Sequence, residues 1–188
     1  MNLPTIATPR LVLRAIAMSD AQAIAALGGR DFEIARWLTG CSWPYIDGEA
    51  EAFLQTVVDA DPLRTEAAFA VTLDGVFIGT VAIEAPGEIA EQAECPSLGY
   101  WLGRPFHGFG YATEAARAAL VWGFENHACP AIVARAFEDN CRSRAVLRKL
   151  GFKPVGKTIR FAKALDRKVD NIIVRLNRAD FEDRRAAA

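Results

Sequence analysis

Residues 103–116 read GRPFHGFGYATEAA, which sets Gly108 and Gly110 just ahead of an alanine-rich helical pattern. A helix start leaves about four backbone N–H groups without intrahelical partners, and the macrodipole makes that end positive. Glycine lets an anion reach those groups with no Cβ in the way, so the chemistry on offer is metal-free phosphate binding. Successive N–H groups of Gly108, Phe109, Gly110, Ala112 and Thr113 would form the cradle. A nucleoside-triphosphate loop needs a lysine and a Ser or Thr after its second glycine, and Tyr111 and Ala112 stand there instead. A dinucleotide fingerprint is closer, since Asp139 closes the following strand, but Thr113 replaces its third glycine. The preceding strand also ends at Leu102, too far upstream for the tight turn that fingerprint requires. A pyrophosphate held by backbone alone is the third reading.

Other reactive side chains are scattered. Asn140 can cap a helix over 140–150, and Ser143 follows three residues on along the same face. An amide serves a ligand as readily as a helix end, and a second-turn serine serves a reacting group or solvent. Glu84, at the end of a strand, is a candidate general base, with Glu138 as runner-up; a solvated strand-end charge explains either acid as well. Residues 84–96 hold Glu84, Glu88, Glu91 and Glu94 and no basic residue, a stretch that would attract a cationic amine or form a solvated loop. Cys41, Cys95, Cys129 and Cys141 form no CxxC pair and, with His107 and His127, make a poor metal set. The expectation is no metal and reduced thiols, buried or half-buried.

The elements that must position these groups follow from periodicity. Residues 10–14 read as a first strand, and helices are predicted over 19–27, stopped by Gly28 and Gly29, then over 32–38, then after a cap at Asp47. Residues 67–73 and 76–83 flank Asp74 and Gly75, a strong hairpin signal. A strand over 97–102, a helix over 111–126, a strand over 131–138, the 140–150 helix ended by Gly151, and strands over 158–163 and 168–176 complete the chain. Small Ala112, Ala115, Ala116, Ala118 and Ala119 would let the 111–126 helix sit close to the sheet. The order β-α-α-α-β-β-β-α-β-α-β-β predicts an α+β fold, a mixed, mostly antiparallel twisted sheet with helices on both faces and one parallel crossover from 97–102 to 131–138. One domain over 1–188 is expected, with 184–188 as a frayed tail.

Composition bounds the function. With 52% hydrophobic and 24% charged residues the chain is globular, and a net charge of −1 gives no basic field for nucleic acid. No apolar run approaches the roughly 18–20 residues of a membrane span, and residues 1–14, MNLPTIATPRLVLR, lack the pattern of a signal peptide. A cytoplasmic protein is expected.

Four local patterns, in chain order, carry a family resemblance: Thr8-Pro-Arg-Leu-Val-Leu-Arg14; Trp43-Pro-Tyr45 with Glu49-Ala-Glu-Ala-Phe-Leu54; Leu98-Gly-Tyr-Trp-Leu102 leading through His107-Gly-Phe-Gly-Tyr-Ala-Thr-Glu-Ala115; and Asn140-Cys-Arg-Ser143 with Leu150-Gly-Phe152. The chain resembles the GCN5-related N-acetyltransferase (GNAT) superfamily, in the branch of the ribosomal-protein N-terminal alanine and serine acetyltransferases. The resemblance implies acetyl-CoA as acyl donor and direct transfer of acetyl to a primary amine, without a covalent enzyme intermediate. The acceptor would be a protein N-terminus or a small-molecule amine, and the assembly a monomer or homodimer. It implies that the strands at 97–102 and 131–138 splay apart and that the pantetheine arm pairs with backbone near Trp101 and Leu102. The cofactor would further meet His107, Gly108, Phe109, Gly110, Tyr111, Ala112, Thr113, Asn140 and Ser143, while Trp37, Trp43 and Tyr45 would line the acceptor side. Two positions depart from the pattern: Leu147 stands where relatives carry a proton-donating Tyr, and Ser97 where this branch commonly has Glu. Ser143 and Glu84 are then the substitute catalytic candidates. The departures keep open a catalytically silent acyl-CoA-binding or regulatory module, and the dinucleotide reading keeps open a nicotinamide-dependent oxidoreductase. Asp170 matches a recurrent family position and reads as structural.

Overall fold

The computed structural model describes residues 3–186. Its framework is one eight-stranded sheet in the order β1-β2-β3-β4-β5-β6-β8-β7. The strands are β1 (Ile6–Ala7), β2 (Leu11–Ala15), β3 (Glu66–Leu73), β4 (Val76–Glu84), β5 (Ser97–Leu102), β6 (Ala131–Phe137), β7 (Lys153–Ala162) and β8 (Arg167–Asn177). Every neighbouring pair is antiparallel except β5 and β6. The β3–β4 hairpin turns on Asp74 and Gly75 at φ 50° and 80°, the paired positive values that a two-residue primed turn demands. The helices are α1 (Ala21–Ile24), α2 (Phe32–Ala35), α3 (Glu49–Val57), α4 (Tyr111–Asn126), α5 (Cys141–Leu150) and α6 (Arg178–Ala186).

Two cores flank the sheet. On one face the alanines of α4, with Leu120, pack on Leu11, Leu13, Phe69, Val71, Ile78, Val81 and Ile83, joined by Leu147 and Leu150 of α5. On the other, Ala21, Ala25, Ala50 and Leu54 meet Ala68, Ala70, Phe77 and Ala82. Because side chains alternate across a strand, a central strand covered on both faces reads as an unbroken apolar run, as residues 67–71 do. Leu120 is wholly buried, so its truncation to Ala belongs to the class that costs about 2–5 kcal/mol.

Several boundaries differ from the sequence reading, each for a local reason. The helix expected over 19–27 is a 3₁₀ turn, then α1, then a π turn over Ala25–Gly29 closed by Arg30 N–H donating to Ala25 O at 2.8 Å. Asp20 caps it, accepting from Ala17 N–H at 2.9 Å while Arg14 grips its carboxylate at 2.7 Å. Gly48 at φ 94° takes the N-cap of α3, and Asp47 pairs with Arg30 at 2.6 Å instead of capping. The strand β1, an earlier start for β7 and the helix α6 went unread. Residues 184–186 belong to α6, not to a frayed tail, because Phe181 anchors that helix by stacking on Phe124 at 4.9 Å; residues 187 and 188 lie outside the described residues. Among the described residues no helix is long and apolar enough to cross a membrane. The four cysteines are free, and Cys141 is exposed rather than buried.

Candidate active site

The parallel neighbours β5 and β6 share one register pair, Ser97 with Val133, and Val133 N–H also donates to Pro96 O at 3.0 Å. Beyond that point β5 stays with β4 and β6 stays with β8, and the two diverge. The gap opens a cleft of about 1390 Å³ bounded by β5, the glycine loop, the start of α5 and the N-terminal helices. Trp101, Leu102, His107, Gly108, Gly110, Tyr111, Ala112, Thr113, Asn140 and Ser143 line it together, with Trp37, Tyr45 and Glu84 farther along.

At the loop, Gly108 and Gly110 take φ 88° and 84°, values that side-chain-bearing residues rarely adopt, and Gly110 is the N-cap of α4. A Cβ at Gly108 would meet nothing within 4 Å, so the space beside this backbone is open to a ligand. His107 Nε2 lies 2.8 Å from Leu102 O and ties the loop back to β5. From outside, Arg10 braces the loop: its Nη1 donates to Phe109 O at 2.9 Å, its Nε to Glu114 at 2.7 Å, and its guanidinium lies 4.6 Å from the Tyr111 ring centroid. Thr8 donates to the same carboxylate at 2.7 Å. Burial works against the charge of Glu114, but these hydrogen bonds outweigh it and hold the carboxyl below its ordinary range. Residues 8–14, which carry the first strand and a family pattern, thus also contain a loop brace. Phe109 is 60% exposed, stacks on Tyr111 and does not line the cleft; its carbonyl turns to Arg10.

Across the gap, Asn140 Oδ1 accepts from Ser143 N–H at 3.1 Å, so the helix-cap role is filled, and Asn140 still lines the cleft. Tyr100 reaches from β5 to Ser143, its hydroxyl 2.9 Å from Oγ and 3.1 Å from the carbonyl oxygen. Burial pushes this phenol up to about 12. Leu147 is 2% exposed and belongs to the core, not to the cleft.

At the other end stands an acidic wall. Glu66 and Glu84 are register partners on β3 and β4, and Glu84 is in turn opposite Ser97, whose hydroxyl donates to it. Burial raises the pKa of Glu84, against the pull of the Ser97 hydrogen bond. Glu66 is pushed up to about 7, chiefly by burial and then by the charges of Glu84 and Glu88. Of the remaining acids of the 84–96 stretch, Glu88 pairs with Arg135 and, at 3.5 Å, with Arg160, and Glu94 with Arg175 at 3.2 Å, while the exposed Glu91 does not line the cleft. Any attraction for a cationic amine therefore rests on Glu84 and Glu66 rather than on the loop. Glu138 does not line the cleft; Lys157 at 2.7 Å holds its carboxyl below the usual range. Trp43 is 42% exposed, packs on Phe32 at 5.1 Å and is absent from the cleft wall. Asp170 pairs with Ile159 across β7 and β8, and its carbonyl accepts from Glu138 N–H at 2.9 Å. No group of three His, Cys, Asp or Glu among the described residues is placed to hold a metal ion.

Tyr100 and Glu66 are the site residues that sequence reasoning missed. Tyr100 sat in a motif already singled out, where strand alternation from the buried Leu98 and Leu102 sets it on their side of the sheet. Glu66 was hidden by a bulge: counting back from the Asp74–Gly75 turn without the register shift at Val71/Thr72 sets Glu84 opposite Thr65, not Glu66.

A sheet opened between parallel neighbours, with a glycine loop at a helix start beside the opening, defines a class of acyl-group-transferring proteins, and the comparisons agree. The family described as "Acetyltransferase (GNAT) domain" matches residues 10–153. The chain belongs to this family and is an N-acetyltransferase. It is 26% identical over 154 residues, covering 78% of this chain and 80% of the relative, to YdaF of Bacillus subtilis (strain 168), provisionally named a ribosomal N-acetyltransferase. Among solved structures, the RimL ribosomal L7/L12 α-N-protein acetyltransferase in complex with coenzyme A superposes with a TM-score of 0.78 at 19% identity, over 95% of this chain and 99% of that one. Mycobacterium smegmatis RimJ in complex with CoA-disulfide does so with a TM-score of 0.73 at 24% identity, over 90% and 83%.

Proposed function

We propose that this single-domain chain binds acetyl-CoA in the splayed cleft and transfers the acetyl group directly to a cationic primary amine, a protein N-terminus or a small molecule met in the cytoplasm. The observation that carries the reading is the convergence on one cleft of the glycine loop, the diverging edge of β5, the Asn140–Ser143 helix start and the Glu66–Glu84 wall. The loop fits a pyrophosphate: positive-φ glycines, open space beside Gly108 and the N-terminal dipole of a 16-residue helix. Acetyl-CoA supplies the thioester carbonyl that the amine attacks. Backbone N–H groups of β5 freed by the splay polarise that carbonyl, as preformed donors in a cleft can. The amine binds as its cation, loses one proton to water and attacks as the neutral base; Glu84 takes the second proton, released as the C–N bond forms, and Ser97 holds its carboxylate in place. Ser143 donates a hydrogen bond to the sulfur as it leaves. The silent-module alternative has no acceptor wall to explain, whereas two half-buried carboxyls in the cleft, both raised and Glu66 to about 7, suit groups that exchange protons with an amine. The test is thiol release from acetyl-CoA with peptides bearing a free N-terminus, their N-blocked forms and polyamines. Release that needs a free amine supports the proposal; coenzyme binding with no release on any acceptor would favour the silent module.

A further inference from the structure

We propose that Tyr100 is a positioning residue of the acyl transfer, its phenol and the Ser143 hydroxyl forming a donor chain that stabilises the departing thiolate. The inference rests on the reading of the cleft as an acetyl-CoA site. Ser143 is held at each of its polar atoms: N–H on Asn140 Oδ1 at 3.1 Å, carbonyl oxygen and Oγ on the Tyr100 hydroxyl at 3.1 and 2.9 Å. A serine tied in this way is not a solvated surface residue, and nothing in the helix itself requires the last two contacts. They exist because β6 has left β5 at Ser97, so a side chain three residues later spans the opening to α5.

The phenol, with its pKa raised to about 12, keeps its proton and so always has one hydrogen bond to donate. That leaves two hydrogen-bond settings. When the phenol donates to the Ser143 carbonyl oxygen, the serine proton is spent on the phenol oxygen. When the phenol donates to Oγ, the serine proton is released toward the cleft. Negative charge developing on sulfur selects the second setting, and the two aligned donors reinforce each other. No proton passes along the chain, because a phenol this weak would not yield one to a thiolate. The C–N bond forms, the C–S bond breaks, the amine proton goes to Glu84, and sulfur leaves as a hydrogen-bonded thiolate that takes a proton from water after release. The phenol thus supplies from β5 a donor that Leu147, in the core, cannot.

The experiment is a pH titration of enzyme-bound CoA, read as ultraviolet thiolate absorbance, in the wild type, Tyr100→Phe, Ser143→Ala and the double variant. The other ionisable groups lining the cleft nearby, His107, Asp139, Cys141, Arg142, Lys149 and Glu84, are the same in all four. Tyr100→Phe is expected to raise the thiol pKa by about one unit, a roughly tenfold drop in thiolate at fixed pH, with CoA affinity at low pH within about twofold of wild type. Ser143→Ala should do the same and the double variant no more, since both act through one chain. In turnover, Tyr100→Phe should lower kcat about tenfold at unchanged KM for acetyl-CoA. An unmoved thiol pKa in Tyr100→Phe, or additive shifts, overturns the chain. If Tyr100→Phe does not fold, Ser143→Ala alone decides, and no shift there overturns it as well. Failure of the wild type to bind CoA at all would instead remove the site reading beneath it.

Discussion

The two ends of the cleft are held by opposite electrostatics. At the end proposed for the coenzyme, Glu114 is clamped by Thr8 and Arg10, and its hydrogen bonds keep it ionised against partial burial. At the end proposed for the acceptor, Glu66 has no salt-bridge partner among the described residues, and burial beside Glu84 and Glu88 pushes it up to about 7. A clamped carboxylate is a fixed structural part; a carboxyl titrating near neutrality is suited to exchanging protons. On the proposed function, the contrast separates the part of the cleft that holds the coenzyme from the part that exchanges protons.

The largest effect that would break this contrast is at the loop. Gly110→Glu sets a side chain at φ 84°, its Cβ 3.5 Å from the Arg10 guanidinium that braces the loop, and should abolish coenzyme A binding by calorimetry. Unchanged affinity would remove the loop from the site. At the other end, Glu84→Gln should lower kcat by about 10²–10⁴ with the acetyl-CoA Kd unchanged, as expected for a lost general base. A change in Kd alone would reassign Glu84 to binding. Arg10→Ala should act the other way round, raising the KM for acetyl-CoA by about tenfold through a loosened loop while kcat changes less.

Stability sharpens the comparison most finely, because the two carboxyls have opposite pH dependence. Glu66 titrates above its ordinary value of 4.5, so below that value it is neutral in both states and contributes nothing. As pH rises from there to about 7 the unfolded chain ionises first, and the folded state loses up to about 3 kcal/mol. Glu66→Gln should therefore melt higher than wild type above neutrality, with the gain vanishing in acid. Glu114 titrates low, so its contribution is present at neutral pH and lost as pH falls through its folded value. Glu114→Gln should melt lower at neutral pH and converge with wild type in acid. Parallel behaviour of the two variants would erase the distinction drawn here.

The same division governs what could be read from the residues alone. The coenzyme end is written locally: glycines at φ 88° and 84°, the start of α4 at Tyr111 and the Asn140 cap all fall within a few residues of the signals that specify them. The acceptor end depends on partners distant in sequence. A single bulge decides that Glu66 and not Thr65 faces Glu84, and arginines of β6, β7 and β8 pair with Glu88 and Glu94, which looked unpaired in 84–96. Trp43 and Tyr45 stand two residues apart, yet only Tyr45 lines the cleft. The brace from Arg10 to Glu114 spans 104 positions, beyond any short motif.

The measurement that tests the central claim most directly is a melting scan of the wild-type chain with CoA, acetyl-CoA, NAD and ATP, each supplied separately. Stabilisation by the two coenzyme A species alone is predicted, about 2.7 kcal/mol at a hundred times Kd. Stabilisation by NAD or ATP instead, or by none of the four while the protein is folded, would contradict the assignment of the splayed cleft and its glycine loop to acetyl-CoA.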